Sequence, residues 1–523
     1  MTRPADRNEG SGVDVDLRGL ALRVLMGSFE GEAVPDWMLR RLGEGLGSVC
    51  LFASNLASNL ASNPHGDDAQ VRRTTDTLHA ASPRGCLIAL DEEGGDVTRL
   101  DFRRGSRVPG AAALGTVDDV PLTHRVMAGL GRRLRTAGID LDLAPVADVN
   151  SEPDNPVIGV RSFGADPQLV ARHVAAAVDG LQGQGVAACV KHFPRHGATT
   201  EDSHLAAPRL DLPLELLRER ELVPFGAAVG AGVAAVMTSH VLVSSLDGER
   251  PASTSPAVLG LLRTELGFEG LIVSDALDMA GVRVPYGGEP RAAVASLAAG
   301  ADLLCLGAAV DEAFLTGVVD EVVAAVGDGR LALARLVEAA GRVDALVDRL
   351  AGGLLADGRS AAAPAGGDAA DCRVAARAAL RLDGAVPDLA GALVLEFEVA
   401  PGIAQGAVPW GIGEHLAELL PGVRHRSVHE GDELPPTAGR PLVAVVRDAH
   451  RHPWVSAALA SLLVDRPDAV VVETGWPGPG PLPGRVRLRT YGASLVTRVA
   501  AAELLAGDRD RAGGAAWSEG VAR

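Results

Sequence analysis

Residues 189–208, CVKHFPRHGATTEDSHLAAP, gather side chains able to do chemistry: Lys191, His192, His196, Asp202 and His204. Lys191 is the only lysine in a chain that otherwise uses arginine for positive charge. A compact, rotatable ammonium at that point suits a polyhydroxylated or anionic ligand. Asp202 and His204 alternate, so an extended backbone puts both side chains on one side, where the carboxylate raises the imidazole's basicity. A histidine held this way can act as a general acid near neutral pH. The same pair also fits an ordinary loop contact or a helix start. Phe-Pro-Arg separates His192 from His196 and breaks the helix that an i,i+4 ligand pair would need. No metal and no cofactor is therefore expected.

Other charged residues stand where they could share that work. Asp275 follows the apolar run GLIV and could be a nucleophile, a base, a metal ligand or, like Asp278 after it, a helix cap. Asp91 and Arg99 bracket the turn DEEGGDVTR, in which Gly94 and Gly95 let the backbone approach a ligand closely. Asp91 can accept from two hydroxyls and Arg99 can donate a fork. Arg161, in NPVIGVRSFG, is a further donor, and a surface salt bridge is the plain alternative for each arginine. His240 closes the motif MTSH.

The elements that must position these residues repeat one grammar: an apolar run, a polar or glycine-rich loop, then an Ala/Leu-rich helical segment. Apolar runs at 20–29, 47–53, 86–90, 140–147, 186–190, 234–237, 270–273 and 301–306 read as strands. Eight strands alternating with helices predict an N-terminal (β/α)8 TIM-type barrel over residues 15–353, with a doubly wound open sheet as the alternative. Working residues of such barrels sit where strands run out into loops. Residues 91–95, Asp148, Lys191-His192, Ser239-His240 and Ser274-Asp275 all follow strands and so converge on one rim.

Residues 354–371, LLADGRSAAAPAGGDAAD, read as a linker. A smaller α/β sandwich domain is expected over 372–507, with strands at 392–399, 442–446 and 469–472 and helices at 412–420, 455–464 and 495–505. It has no glycine-rich phosphate loop. A tail follows at 508–523. The tandem ASNLASNLASN at 53–63 is low-complexity and is assigned no chemistry.

The 523 residues are 47% hydrophobic but only 3% aromatic, so Ala, Val and Leu must build the core. A net charge of −18 argues against nucleic acid or an anionic membrane surface as partner. It favours a soluble protein with a small or neutral ligand. The N-terminus lacks a signal-peptide pattern and no apolar stretch is long enough to span a bilayer, so a cytoplasmic protein is expected. The five cysteines have no metal-ligand spacing and read as buried reduced thiols. Nothing in the sequence fixes an oligomeric state.

The motifs LDEEGGDVTRL, GIDLDLAPVADVN, NPVIGVRSFG, KHFPRHG with DSH, MTSH and SDALDM, in this order, resemble glycoside hydrolase family 3, more closely its β-N-acetylglucosaminidase branch. The resemblance implies Asp275 as a nucleophile that forms a covalent glycosyl-enzyme. It implies His204, oriented by Asp202, as acid/base. Asp91, Arg99, Arg161, Lys191, His192 and His240 would bind the sugar. A histidine thus replaces one member of the usual carboxylate pair of retaining glycosidases. Arg195 stands where the family has glycine, and Asp96 where it often has arginine. Arg195 is expected to stiffen the acid/base loop or to reach a charged aglycone. The reading is a retaining exo-β-N-acetylglucosaminidase acting on peptidoglycan fragments or chito-oligosaccharides. A phosphorylase, a β-glucosidase and a non-catalytic sugar sensor are the alternatives.

Overall fold

A computed structural model describes residues 16–56, 68–196, 208–308, 310–355, 368–437 and 439–507. Eight parallel strands close into a barrel: β1 (Leu25–Gly27), β2 (Ser48–Cys50), β3 (Leu87–Leu90), β4 (Leu141–Asp142), β5 (Ala187–Phe193), β6 (Ala235–Thr238), β7 (Leu271–Ser274) and β8 (Leu303–Cys305). Each pairs with its sequence neighbours, and β1 closes the ring on β8.

The strands read as unbroken apolar runs because both faces are buried. On β3, Leu87 and Ala89 enter the barrel interior while Ile88 and Leu90 face the surrounding helices. The interior is filled by the same alternation elsewhere, including Met26, Leu141, Ala187, Val273 and three cysteines, Cys50, Cys189 and Cys305. All eight expected runs supply a strand. The first does so only in part: Leu17–Arg23 is a helix, started by the Asp16 carboxylate accepting from Gly19 N–H at 2.9 Å, and the strand is confined to Leu25–Gly27. Leu22 and the aliphatic stem of Arg23 are both buried and continue the apolar pattern, but the cap commits them to the helix.

The second domain holds a six-stranded sheet: β9 (Arg381–Asp383), β10 (Leu393–Phe397), β11 (Arg424–Val428), β12 (Leu442–Val446), β13 (Val470–Glu473) and β14 (Val486–Arg489), in the order β9-β14-β13-β12-β10-β11. Only β9 is antiparallel to its neighbour. The three apolar runs legible in the sequence are the central strands β10, β12 and β13. The other three, RLD, RHRSV and VRLR, have polar faces because they lie at or next to the sheet edges, and no apolar run marks them. Helix Asp368–Ala379 begins inside the segment read as linker and joins the two domains. Its Cys372 and Ala375 belong to the barrel's core, while Ala376 belongs to the core of the second domain.

Candidate active site

Asp91, Glu92 and Glu93 leave the end of β3 in succession. Lys191 Nζ, from β5, donates to Asp91 Oδ1 and Glu93 Oε1, each at 2.7 Å. Arg99 donates to Asp91 Oδ2 at 3.1 Å, and Arg161 clamps Glu93 through Nε at 2.9 Å and Nη2 at 2.7 Å. Burial alone would raise Asp91, but the charge of Lys191 and then that of Arg99 overcome it and hold the carboxyl well below its usual range. Burial likewise opposes Glu93, yet Arg161 and Lys191 hold it at about 2. For Lys191 the same carboxylates outweigh burial and keep the ammonium charged. The result is a fixed array of alternating charge.

Glu92 turns the other way and is wholly buried. Its Oε2 accepts the backbone N–H of Arg99 at 2.8 Å and of Leu100 at 3.0 Å, which closes the turn carrying Arg99. Burial, then the nearby Asp101 charge, pushes this carboxyl up to about 7.

His192 Nδ1–H donates to Asp148 Oδ2 at 2.7 Å, and its Nε2 stands 3.4 Å from Arg161 Nη2. Asp148 also accepts the backbone N–H of His196. The His196 ring meets His192 edge-on, with centroids 5.9 Å apart, and burial followed by the His192 charge lowers it to about 4. Lys191 and His192 are consecutive, yet both line the cavity. The register between β5 and β6 shifts between Val190 and Phe193, and such an irregularity re-aims side chains that strict alternation would send to opposite faces.

Asp275 follows β7 directly. Its N–H donates to Thr238 O at 3.2 Å and its Oδ1 accepts from Ala276 N–H at 2.8 Å. Neither Asp275 nor Asp278 caps a helix, because the next one, Ala280–Tyr286, starts from Met279. Asp278 instead reaches towards Ala308 N–H at 3.4 Å.

These groups line one cavity of about 370 Å³ at the C-terminal mouth of the barrel. Asp91, Arg99, Arg161, Lys191, His192 and Asp275 are all on its wall, with Glu93, His196 and Asp278. Asp202 and His204 lie outside the described residues. His240 is placed elsewhere: wholly buried, it does not line the cavity but takes the Ser253 hydroxyl at Nδ1, 2.7 Å, and donates from Nε2 to Ala276 O at 3.0 Å. It braces the turn behind Asp275.

Arg195 is also directed inward. It is wholly buried, donating to Glu221 Oε1 and Ser151 Oγ at 2.7 Å each, so it reaches no aglycone in the cavity. Asp96 leaves the site for the domain interface, where Oδ2 receives Arg447 Nη2 at 2.6 Å and Oδ1 receives Ala493 N–H at 2.8 Å.

Three contributors were not among the candidate residues, though Asn155 opens the motif NPVIGVRSFG. Residues 403–406 of the second domain line the same cavity, and Ala404 O accepts from both terminal nitrogens of Arg99, at 3.3 and 3.2 Å. Asn155 donates from Nδ2 to His196 O at 2.8 Å while Oδ1 accepts from Val157 and Ile158 N–H, tying the segment of Arg161 to that of His196. Phe52, Ala53 and Ser54 form a further wall where the low-complexity tandem begins.

The model of the glycosyl hydrolase family 3 N-terminal domain matches residues 33–346. The chain belongs to glycoside hydrolase family 3. Within this family it is 38% identical over 288 residues to a β-hexosaminidase of Stenotrophomonas maltophilia (strain K279a), covering 53% of this chain and 81% of that protein. It is 35% identical over 259 residues to β-hexosaminidase A of Pseudoalteromonas piscicida, where the match spans 45% of this chain and 42% of the relative. Among solved structures, a family 3 β-N-acetylglucosaminidase from Paenibacillus sp. str. FPU-7 superimposes with a TM-score of 0.81 at 30% identity, covering 94% of this chain and 97% of that one. The β-hexosaminidase matches thus cover about half of this family 3 chain, and the structural match extends over both domains.

Proposed function

We propose that this chain is a retaining exo-β-N-acetylglucosaminidase. The observation that carries the reading is the convergence of Asp275 with the Asp91–Lys191–Glu93–Arg161 array and His192 on one wall. A carboxylate delivered by a barrel strand, facing an array of donors and acceptors, suits a sugar whose hydroxyls are read on one side and whose anomeric carbon is attacked on the other. The likeness to two β-hexosaminidases and to a β-N-acetylglucosaminidase supports N-acetylglucosamine as the sugar.

In this reading an Asp275 oxygen bonds to the anomeric carbon as the glycosidic C–O bond breaks, and the departing oxygen takes its proton from His204, held by Asp202. Water then gives a proton to His204 and attacks the same carbon, which releases sugar and free Asp275. Terminal residues of peptidoglycan-derived or chito-oligosaccharide glycosides are the proposed substrates. A cytoplasmic setting is part of the proposal, supported by five cysteines that are all buried.

Initial rates on aryl β-N-acetylglucosaminide beside aryl β-glucoside, each with and without phosphate, test the reading. Free N-acetylglucosamine in both buffers is expected. A sugar 1-phosphate would transfer the protein to the phosphorylases, and a faster glucoside would overturn the amino-sugar assignment. Asp275→Ala should abolish turnover, whereas full turnover by that variant would remove Asp275 from the chemistry. His204→Ala should slow poor leaving groups far more than activated aryl ones.

A further inference from the structure

The second domain holds a cavity that the reaction does not use. Its sheet is parallel from β14 through β11, and the chain leaves β10 outward to β11 but leaves β12 the opposite way, to β13. The gap between the ends of β10 and β12 is therefore a topological switch point, the place where open parallel sheets bind ligands. A cavity of about 360 Å³ opens there, lined by Glu396 and Glu398 from the end of β10 and by Arg447 from the end of β12. Trp410, Glu414 and Arg498 complete it, beside an apolar rim of residues 399–401 and 407–409.

The chemistry of the lining selects the ligand. Arg447 is closed off by Asp96 at 2.6 Å. Arg498, 4% exposed, donates to Gly411 O at 3.2 Å and to Arg104 O, and its Nε has no partner among the described residues. Glu396, 7% exposed, spends Oε1 on Gly413 N–H at 2.8 Å and stands 3.6 Å from His425 by Oε2. Glu398 accepts from Ser427 at 2.9 Å. Carboxylates thus exceed free cations, which disfavours an anion. Carboxylate acceptors beside a half-buried indole and an apolar rim match the hydroxylated edge and C–H face of a pyranose. Tryptophan is scarce, five in 523 residues, so one beside the carboxylates of Glu396, Glu398 and Glu414 is not explained by composition.

We infer that this switch-point cavity is a second saccharide site, taking an uncharged pyranose unit against Trp410 with its hydroxyls on Glu396 and Glu398. It adjoins the catalytic cavity through a common wall, Gln405 and Gly406. It does not depend on the reaction proposed above.

The test uses the full chain with Asp275→Ala, so that oligosaccharide persists, labelled with 5-fluorotryptophan and titrated with chitotriose and with cellotriose. The Trp410 resonance is identified by its loss in Trp410→Phe. It is expected to shift saturably with at least one probe, and Glu398→Ala should weaken that response by about tenfold. No shift at millimolar saccharide would overturn the site, as would a shift that Glu398→Ala and Glu396→Ala both leave unchanged. A response to glucosamine but to neither neutral probe would overturn the ligand class. Saturable binding at Trp410 in a protein that hydrolyses neither aryl glycoside would sink the activity and keep this site, and the reverse result would do the opposite.

Discussion

Lys191 is a single buried ammonium between the partly buried carboxylates of Asp91 and Glu93, and its removal should expose what each partner costs. With Lys191→Met, Asp91 and Glu93 face each other without it, and breaking a buried pair from one side destabilises by about 3–5 kcal/mol. Urea denaturation at pH 7 should show that loss. The deficit should shrink as pH falls, because a proton on either carboxyl relieves the repulsion, and a pH-independent deficit would contradict the argument. His196 gives a pH signal of the same direction, at higher pH. Its folded value is depressed to about 4 against an ordinary value of about 6.5, so the unfolded chain binds the proton first. Its contribution is complete above pH about 6.5 and is lost as pH falls towards 4. His196→Asn should therefore lose less Tm between pH 7 and pH 4 than the parent protein, and equal slopes in the two proteins would refute this.

At the scale of the element, the turn after β3 depends on a close approach that only glycine allows. Gly95 has φ +61°, and a Cβ there would lie 2.5 Å from Gly110 Cα. Gly95→Ala should push the turn off the segment at Gly110, costing about 1–3 kcal/mol and raising KM for aryl glycoside through displaced Asp91 and Arg99. A variant with unchanged KM would show that the turn does not set their position. Glu92 belongs to the same element: it lies in the motif with Asp91 and Glu93, yet its carboxyl serves backbone N–H groups rather than the cavity.

The two domains of the molecule are held by polar contacts that also reach the site. Buried Asp96 pairs with partly buried Arg447 across the interface, and Ala404 O holds Arg99. His450 Nε2 donates to Pro153 O at 3.0 Å on the segment that carries Arg161. Arg447→Ala removes the guanidinium partner of the buried Asp96, which should cost about 3–5 kcal/mol in denaturation and lower activity through Arg99. A double-mutant cycle with Asp96→Ala should recover much of the loss. Strict additivity of the two single changes would refute a direct coupling. The second domain is thus part of the wall of the barrel cavity in this chain, although the curated β-hexosaminidase matches cover only about half of it.

The sequence by itself determined the barrel, because eight runs buried on both faces must be apolar throughout, and it placed Asp91, Lys191, His192 and Asp275 at strand ends, which a parallel barrel gathers on one rim. The polar outer strands of the second sheet were illegible, since a strand with one solvated face leaves no apolar run. Direction was illegible too. Arg195, Asp96 and His240 sit within or beside the motifs, but whether a side chain faces a cavity, a buried partner or another domain is settled by what packs around it. Glu221, Arg447 and Ala276 come from far along the chain or from behind the strand, so only the tertiary structure could assign them. The same holds for residues 403–406, which become a wall of the barrel cavity only once the two domains are docked, and for the switch-point cavity, which the strand order of the second sheet creates.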